Sequence, residues 1–274
     1  MAQQILTQSP ADAQVHGRTW QSVAILITAI AQIVCAPLTV MLGVGQTVAE
    51  RSASTSHPLV PAAFAFSIWG VLYIYSLVAA IWQALPNQRS NPALLEAGWN
   101  IAGIYLINCL WQIWVPLNGL DWISYGLVAV SLMLGVSAMM RLRLGKRMPV
   151  LTTRLVFAPL ALMTGWITAA SVVNFTSVLV AGRYGLDPTQ VGVSLGFLVA
   201  LIVFAAIIVR LTRSLAYSLA LVWALFWIMM ANIFRDHQPM MVVTALAGIV
   251  VVAAICLVTL AQNHELGRFR LKHI

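Results

Sequence analysis

The side chains of this 274-residue chain that exchange protons or bind metals are few, and they keep to the margins of its apolar stretches. Glu50, Glu96, Asp121, Asp187, Asp236 and Glu265 fall at the ends of those stretches or in polar connectors. The histidines His16, His57, His237, His264 and His273 do the same. An ionisable group at membrane depth is costly and is therefore a default functional signal; none is expected here. Paired mid-helix histidines for a b-type haem are missing, as are Ser-His-Asp, GxSxG and phosphate-loop patterns. His57 and His237 lie on one side, where each has the chemistry of a single axial ligand, but the ordinary reading is a solvated loop histidine. Cys35, Cys109 and Cys256 have no pairing or metal spacing and read as small apolar packing residues. Redox enzymes, proton pumps and metalloenzymes are disfavoured, and no catalytic residue is nominated.

The remaining candidates are aromatic and amide groups inside apolar stretches. Phe66, Trp69 and Tyr73 step by three and four and share one helix face. Asn108, Trp111 and Gln112 repeat the spacing, and Trp166, Ala170 and Asn174 follow at intervals of four. Taken singly, such residues are ordinary: tryptophan and tyrosine form interfacial belts, the reading for Trp20, Trp99 and Trp122. Membrane asparagine is often interhelical glue worth about 0.6 kcal/mol. Three helices carrying the same pairing of ring and polar or small neighbour point further, to a pocket for a planar, largely apolar molecule with polar substituents.

The elements that must position these residues follow from composition. The chain is 61% hydrophobic and 8% charged, against roughly 45–50% and 25% in soluble domains. Apolar runs of helical span length occur at about 20–45, 62–85, 98–117, 121–140, 155–180, 190–210, 215–234 and 239–261. Alternating ten-residue strands are absent, so the fold class is all-α, a polytopic membrane bundle of about eight transmembrane helices. Eight spans place Arg18, Arg89, the group Arg141, Arg143, Lys146, Arg147 and Arg154, then Arg210, Arg213, Arg268, Arg270 and Lys272 on one side. Only Arg51, Arg183 and Arg235 fall opposite, so both termini are expected to be cytoplasmic. The net charge of +8 is spread over connectors, and a nucleic-acid partner is not required. Residues 1–19 read as an N-terminal tail before a start helix and not as a cleaved signal. The turn-rich stretch 181–189 divides a five-helix front, 20–180, from a three-helix extension, 190–262, with a basic tail at 263–274. No internal repeat is evident, and inverted-repeat transporter architecture is unsupported.

Three motifs resemble the tryptophan-rich sensory protein family, also called the translocator protein or peripheral benzodiazepine receptor family. Pro58 and Pro61 followed by Ser67-Ile68-Trp69-Gly70-Val71-Leu72-Tyr73 resemble its second helix, with W-x-x-L-Y intact. Ile107-Asn108-Cys109-Leu110-Trp111-Gln112 resembles the L-N-x-x-W of its third helix. Trp166 to Asn174 resembles the W-x-x-F-A-x-x-L-N of its fifth, with tryptophan, alanine and asparagine in register. The resemblance covers about 20–180 and leaves the last three helices unmatched. It implies a five-helix bundle, often dimeric, whose cavity binds porphyrin, haem or a related tetrapyrrole, with no obligatory cofactor. Carried over, Phe66, Trp69, Tyr73, Asn108, Trp111, Trp166, Ala170 and Asn174 are the ligand-binding residues. The function it implies is a tetrapyrrole-binding sensor or carrier in a bacterial inner or photosynthetic membrane, with light-dependent porphyrin breakdown as the enzymatic variant. Two other readings stand beside it: a structural or assembly subunit of a larger, pigment-containing membrane complex, and a small-solute facilitator.

Overall fold

A chain in hydrocarbon must pair its backbone within each crossing segment, and helix follows wherever the apolar runs are long enough. The computed structural model describes the backbone of residues 10–143 and 148–271, with side chains for 18–143, 148–259 and 261. Residues 1–9 of the expected tail, Lys146 and Arg147, and the side chains of His16 and of 263–274 lie outside the described residues.

The elements run α1 (Pro10–Met41), α2 (Val48–Ser54), a 3-10 turn (Ala63–Ser67) entering α3 (Ile68–Ala84), α4 (Pro92–Asn118) and α5 (Trp122–Arg143). A single turn, α6 (Val150–Thr152), widens through a π-turn (Thr153–Phe157) into α7 (Ala158–Gly182), followed by α8 (Val191–Thr212), α9 (Leu215–Phe234) and α10 (Pro239–Leu271). No strand occurs among the described residues. Eight helices are long and apolar enough to cross a membrane, and the protein is a polytopic membrane helix bundle. Most spans sit within a few residues of their sequence positions. The exception is α4, which starts at Pro92 and not near 98, because the Asn91 side chain accepts from the Ala93 N–H and Pro92 occupies the first turn.

Packing makes α7 the mast of the bundle. It touches α3, α5, α8 and α9, and it is the most enclosed span. Small residues permit this: a Cβ added at Gly165 would lie 2.5 Å from the Tyr217 carbonyl oxygen and 2.9 Å from Ala220 Cβ on α9. The α1 and α4 helices pack together, and there the structure corrects the sequence reading of the cysteines. Cys35 and Cys109 are joined by a disulfide, their Cα atoms 5.5 Å apart across a sequence separation of 74. The two positions meet only because α1 lies along α4, a proximity that linear spacing does not encode. Cys256 is free and buried.

The short helix α2 sits at the charge-poor end of the bundle. Thr47 and Glu50 close it with a reciprocal capping box, and these hydrogen bonds hold the exposed Glu50 carboxyl below its ordinary range. The last carbonyls of α4 lack intrahelical donors; the Gln46 N–H donates to Pro116 O at 3.0 Å and the Arg51 guanidinium at 2.9 Å. Gly45 has φ +74°, and its missing Cβ is what allows this approach to the Pro116 carbonyl.

Candidate functional site: an aromatic cavity with unpaired donors

On α7, Trp166, Ala169, Ala170, Val173, Asn174 and Ser177 recur at intervals of three and four and form one stripe. That stripe is the principal wall of a cavity of about 50 Å³. Trp111 of α4 and Leu120 line it from one direction, and Ala224 and Ile228 of α9 from another. Val48 and Ser52 of α2, with Pro61 and Phe66 of the following segment, complete the lining. A second void of about 20 Å³ adjoins it, lined by Trp69, Asn108, Trp111, Ser131 and Ala170 among others. Trp111 and Ala170 are common to both and form the partition.

Of the eight sequence candidates, Phe66, Trp111, Trp166, Ala170 and Asn174 reach the main cavity, and Trp69 and Asn108 reach the second. Tyr73 lines neither void. It stacks on Trp69 at 5.4 Å, and its hydroxyl donates to Gln112 Oε1 at 2.6 Å. Gln112 Nε2 in turn donates to Gln32 O, and Asn108 Nδ2 donates to Gln32 Oε1 and to Met163 Sδ. These two amides therefore bind helices together, as membrane amides often do. The rings are packed edge to face: Trp166 meets Trp69 at 6.1 Å and Phe66 at 6.2 Å.

The polar accounting singles out three atoms. Trp111 Nε1, Trp166 Nε1 and Asn174 Nδ2 are buried without a hydrogen-bond partner, and their residues are 9%, 3% and 4% exposed. All three residues line the main cavity. An unpaired buried donor costs about 1–3 kcal/mol, so three on one small void is an unusual concentration. The orientation of Asn174 is set from outside. Its Oδ1 lies 3.1 Å from the Ser124 hydroxyl, and Asp121 fixes that turn by accepting from Ser124 N–H at 2.8 Å and Trp114 Nε1 at 3.0 Å. The amide carbonyl shares the single Ser124 hydroxyl proton with Asp121 O, 2.7 Å from that hydroxyl, and the NH₂ has no partner. Among the described residues, the unpaired buried side-chain atoms that belong to residues lining the main cavity are all N–H donors.

His57 departs from the sequence expectation of a solvated loop residue. It is 3% exposed, enclosed because the segment after α2 folds inward against α7. Its Nδ1 accepts from the Leu59 N–H at 3.3 Å, which places the proton on Nε2. That N–H is 3.2 Å from both Ser177 Oγ and Thr176 Oγ1. Burial, and secondarily the Arg235 charge, push the imidazole down to about 4, against the opposing effects of Asp236 and the Val173 backbone. His57 is thus a neutral strut at physiological pH, joined through Ser177 to the cavity wall. Among the described residues, no cluster of three or more His, Cys, Asp or Glu is able to hold a metal ion.

Among the lining residues missed in the sequence, Val48, Ser52 and Leu120 come from α2 and the α4–α5 connector, and those on α7 and α9 differ in how they could have been found. Ala169, Val173 and Ser177 continue the spacing of the Trp166 stripe and were findable by extending it. Ala224 and Ile228 carry no chemical mark, and only the packing of α9 on α7 brings them to the site.

Together these features define an integral membrane protein of eight spans that encloses a ring-lined, donor-bearing cavity. A profile of the TSPO-like protein family matches residues 21–258, and the chain belongs to that family. The match runs past residue 180, where the motif resemblance stops, through α8 and α9 and into α10. Members of this family are membrane proteins commonly linked to tetrapyrroles and are generally not enzymes. No curated protein and no solved structure matches the chain.

Proposed function

We propose that this protein is a membrane receptor or carrier for a flat, largely apolar ligand that presents hydrogen-bond acceptors, with a tetrapyrrole as the ligand class. The observation that carries the reading is the set of unpaired N–H groups of Trp111, Trp166 and Asn174 on one aromatic cavity. Such a lining rewards carbonyl or carboxylate oxygens, because each acceptor that enters pairs a donor otherwise left unsatisfied. Porphyrin carboxylates and the macrocycle face match the donors and the rings respectively. The chemistry of the lining fits this ligand, whereas the present volume of about 50 Å³ is well below the roughly 300–1,000 Å³ of ligand-filled pockets. A void of that size holds no macrocycle as it stands, so on this reading a wall moves to admit one.

Saturable quenching of tryptophan fluorescence by protoporphyrin tests the proposal. The purified protein is expected to quench saturably, and Ala170→Leu, which fills the partition between the two voids, to abolish saturation. Unsaturable quenching of the unaltered protein, or undiminished binding by Ala170→Leu, overturns the assignment.

A further inference from the structure

The segment 57–66 joins α2 to α3 and supplies Pro61 and Phe66 to the cavity, yet it has no helix of its own before Ala63. Its backbone groups must therefore find partners elsewhere, and Pro58 and Pro61 contribute no N–H. Those partners are concentrated on the charge-poor half of α9. Asn232 Nδ2 donates to Pro58 O at 2.7 Å. Arg235 Nη2 donates to Val60 O at 2.8 Å and to His57 O at 3.4 Å. The Ala62 N–H donates to Trp227 O at 3.0 Å, and Trp223 Nε1 donates to Ala65 O at 3.0 Å. The Phe64 ring closes the contact against Trp227 at 5.1 Å. Asp236 holds the Arg235 guanidinium in place through a 2.7 Å ion pair.

We infer that Asn232 and Arg235 are positioning residues that govern ligand access: α9 is the keeper of a lid formed by residues 57–66. The inference rests on the cavity being the ligand site proposed above. One helix performs both tasks, since Ala224 and Ile228, four residues apart on α9, line the cavity while the neighbouring Trp223 and Trp227, then Asn232 and the Arg235 that follows the helix, hold the lid. Leu59 and Ala65 of the connector belong to the same buried core as the α4 and α7 walls, but between Pro58 and Ala62 its backbone lacks the helical ladder of those walls and takes partners from α9 and Arg235 instead. Of the walls it is the one whose opening breaks no helix. The C-terminal helices thereby acquire a role in the site, setting how readily its mouth opens.

Hydrogen–deuterium exchange on the full-length protein tests the latch without a ligand. Peptides covering 57–66 are expected to lose protection about tenfold or more in the Asn232→Ala/Arg235→Ala double variant, since each hydrogen bond is worth up to about tenfold in an opening equilibrium. Peptides covering α2 and α7 are expected to keep theirs. Protoporphyrin association and dissociation are then both expected to accelerate several-fold, whereas Ala224→Leu is expected to weaken affinity and leave lid exchange unchanged. Unchanged protection of 57–66 in the double variant overturns the latch, whether or not protoporphyrin binds. A loosened lid with unaltered porphyrin kinetics overturns its role in access. Absence of porphyrin binding by the unaltered protein overturns the ligand class and leaves the exchange comparison as the test of the latch.

Discussion

The indole rings of Trp69 and Trp166 meet edge to face, their centroids 6.1 Å apart and their planes inclined at 85°. This contact fastens α3 to α7 and fixes the Trp166 ring before any ligand arrives, although its Nε1 has no partner. Packing and recognition are therefore separable in this one side chain. Trp166→Phe preserves a ring at the contact and removes the orphaned donor. Its thermal stability is expected to stay within about 1 kcal/mol of the parent, because no satisfied hydrogen bond is lost. Its affinity for protoporphyrin, read by fluorescence titration, is expected to fall about fivefold to tenfold, the worth of one hydrogen bond. Equal affinity in the two proteins counts against the donor's role.

His57 gives the fold a pH dependence of definite sign. Its pKa in the folded protein is lowered to about 4 from an ordinary 6.5, so in the interval between them the unfolded chain binds a proton that the native state refuses. The stability this group contributes is complete above about pH 6.5 and is withdrawn as pH falls toward about 4. His57→Gln keeps a donor near Ser177 and does not titrate. The unfolding midpoint of the parent is expected to drop more steeply than that of His57→Gln between pH 7 and pH 4.5, and parallel curves would refute the assignment.

Close contact between α7 and α9 makes Gly165 intolerant of a side chain. Gly165→Val drives atoms into the Tyr217 carbonyl and Ala220 and is expected to cost about 1–3 kcal/mol by overpacking. Gly196, whose added Cβ meets nothing within 4 Å, is the control: Gly196→Ala is expected to unfold at the parent temperature. Thermal melts of the two variants in one detergent decide the matter, and a Gly165→Val protein as stable as the control would show that α7 and α9 separate freely.

The pairing of Cys35 with Cys109 predicts a simple mass count. Denatured under non-reducing conditions, the protein is expected to take up one alkyl group, at Cys256. After reduction it is expected to take up three, one for each of its 3 cysteines. Three adducts without reduction would show the thiols to be free.

The spans were legible because their signal is local: a run of apolar residues long enough to cross hydrocarbon identifies itself. The start of α4 was less so, since Glu96 interrupts the run while the stronger cue, Asn91 before Pro92, is a capping signal and not a hydropathic one. Within the site, Phe66, Trp111, Trp166 and Asn174 were readable as rings and amides repeating on helix faces. The same pattern admitted Tyr73, whose hydroxyl is instead consumed by Gln112, because spacing reports a shared face and not the partner across from it. His57 and the two paired cysteines escaped for the opposite reason. Burial and pairing there depend on helices distant in sequence, as the 120 residues between His57 and Ser177 illustrate. Ala224 and Ile228 are chemically plain, and nothing short of the packing of α9 against α7 distinguishes them from neighbours that face lipid.

That dependence on α9 bears on biogenesis. Translation delivers the stretch from Val48 to Ser177, holding most of the cavity lining, well before Ala224 and Ile228 leave the ribosome. A nascent chain with five inserted spans presents a half-built trough to the acyl chains around it, its connector after α2 still untethered. If the cavity is the ligand site, truncation before residue 215 is expected to yield a protein that inserts yet shows no saturable quenching by protoporphyrin.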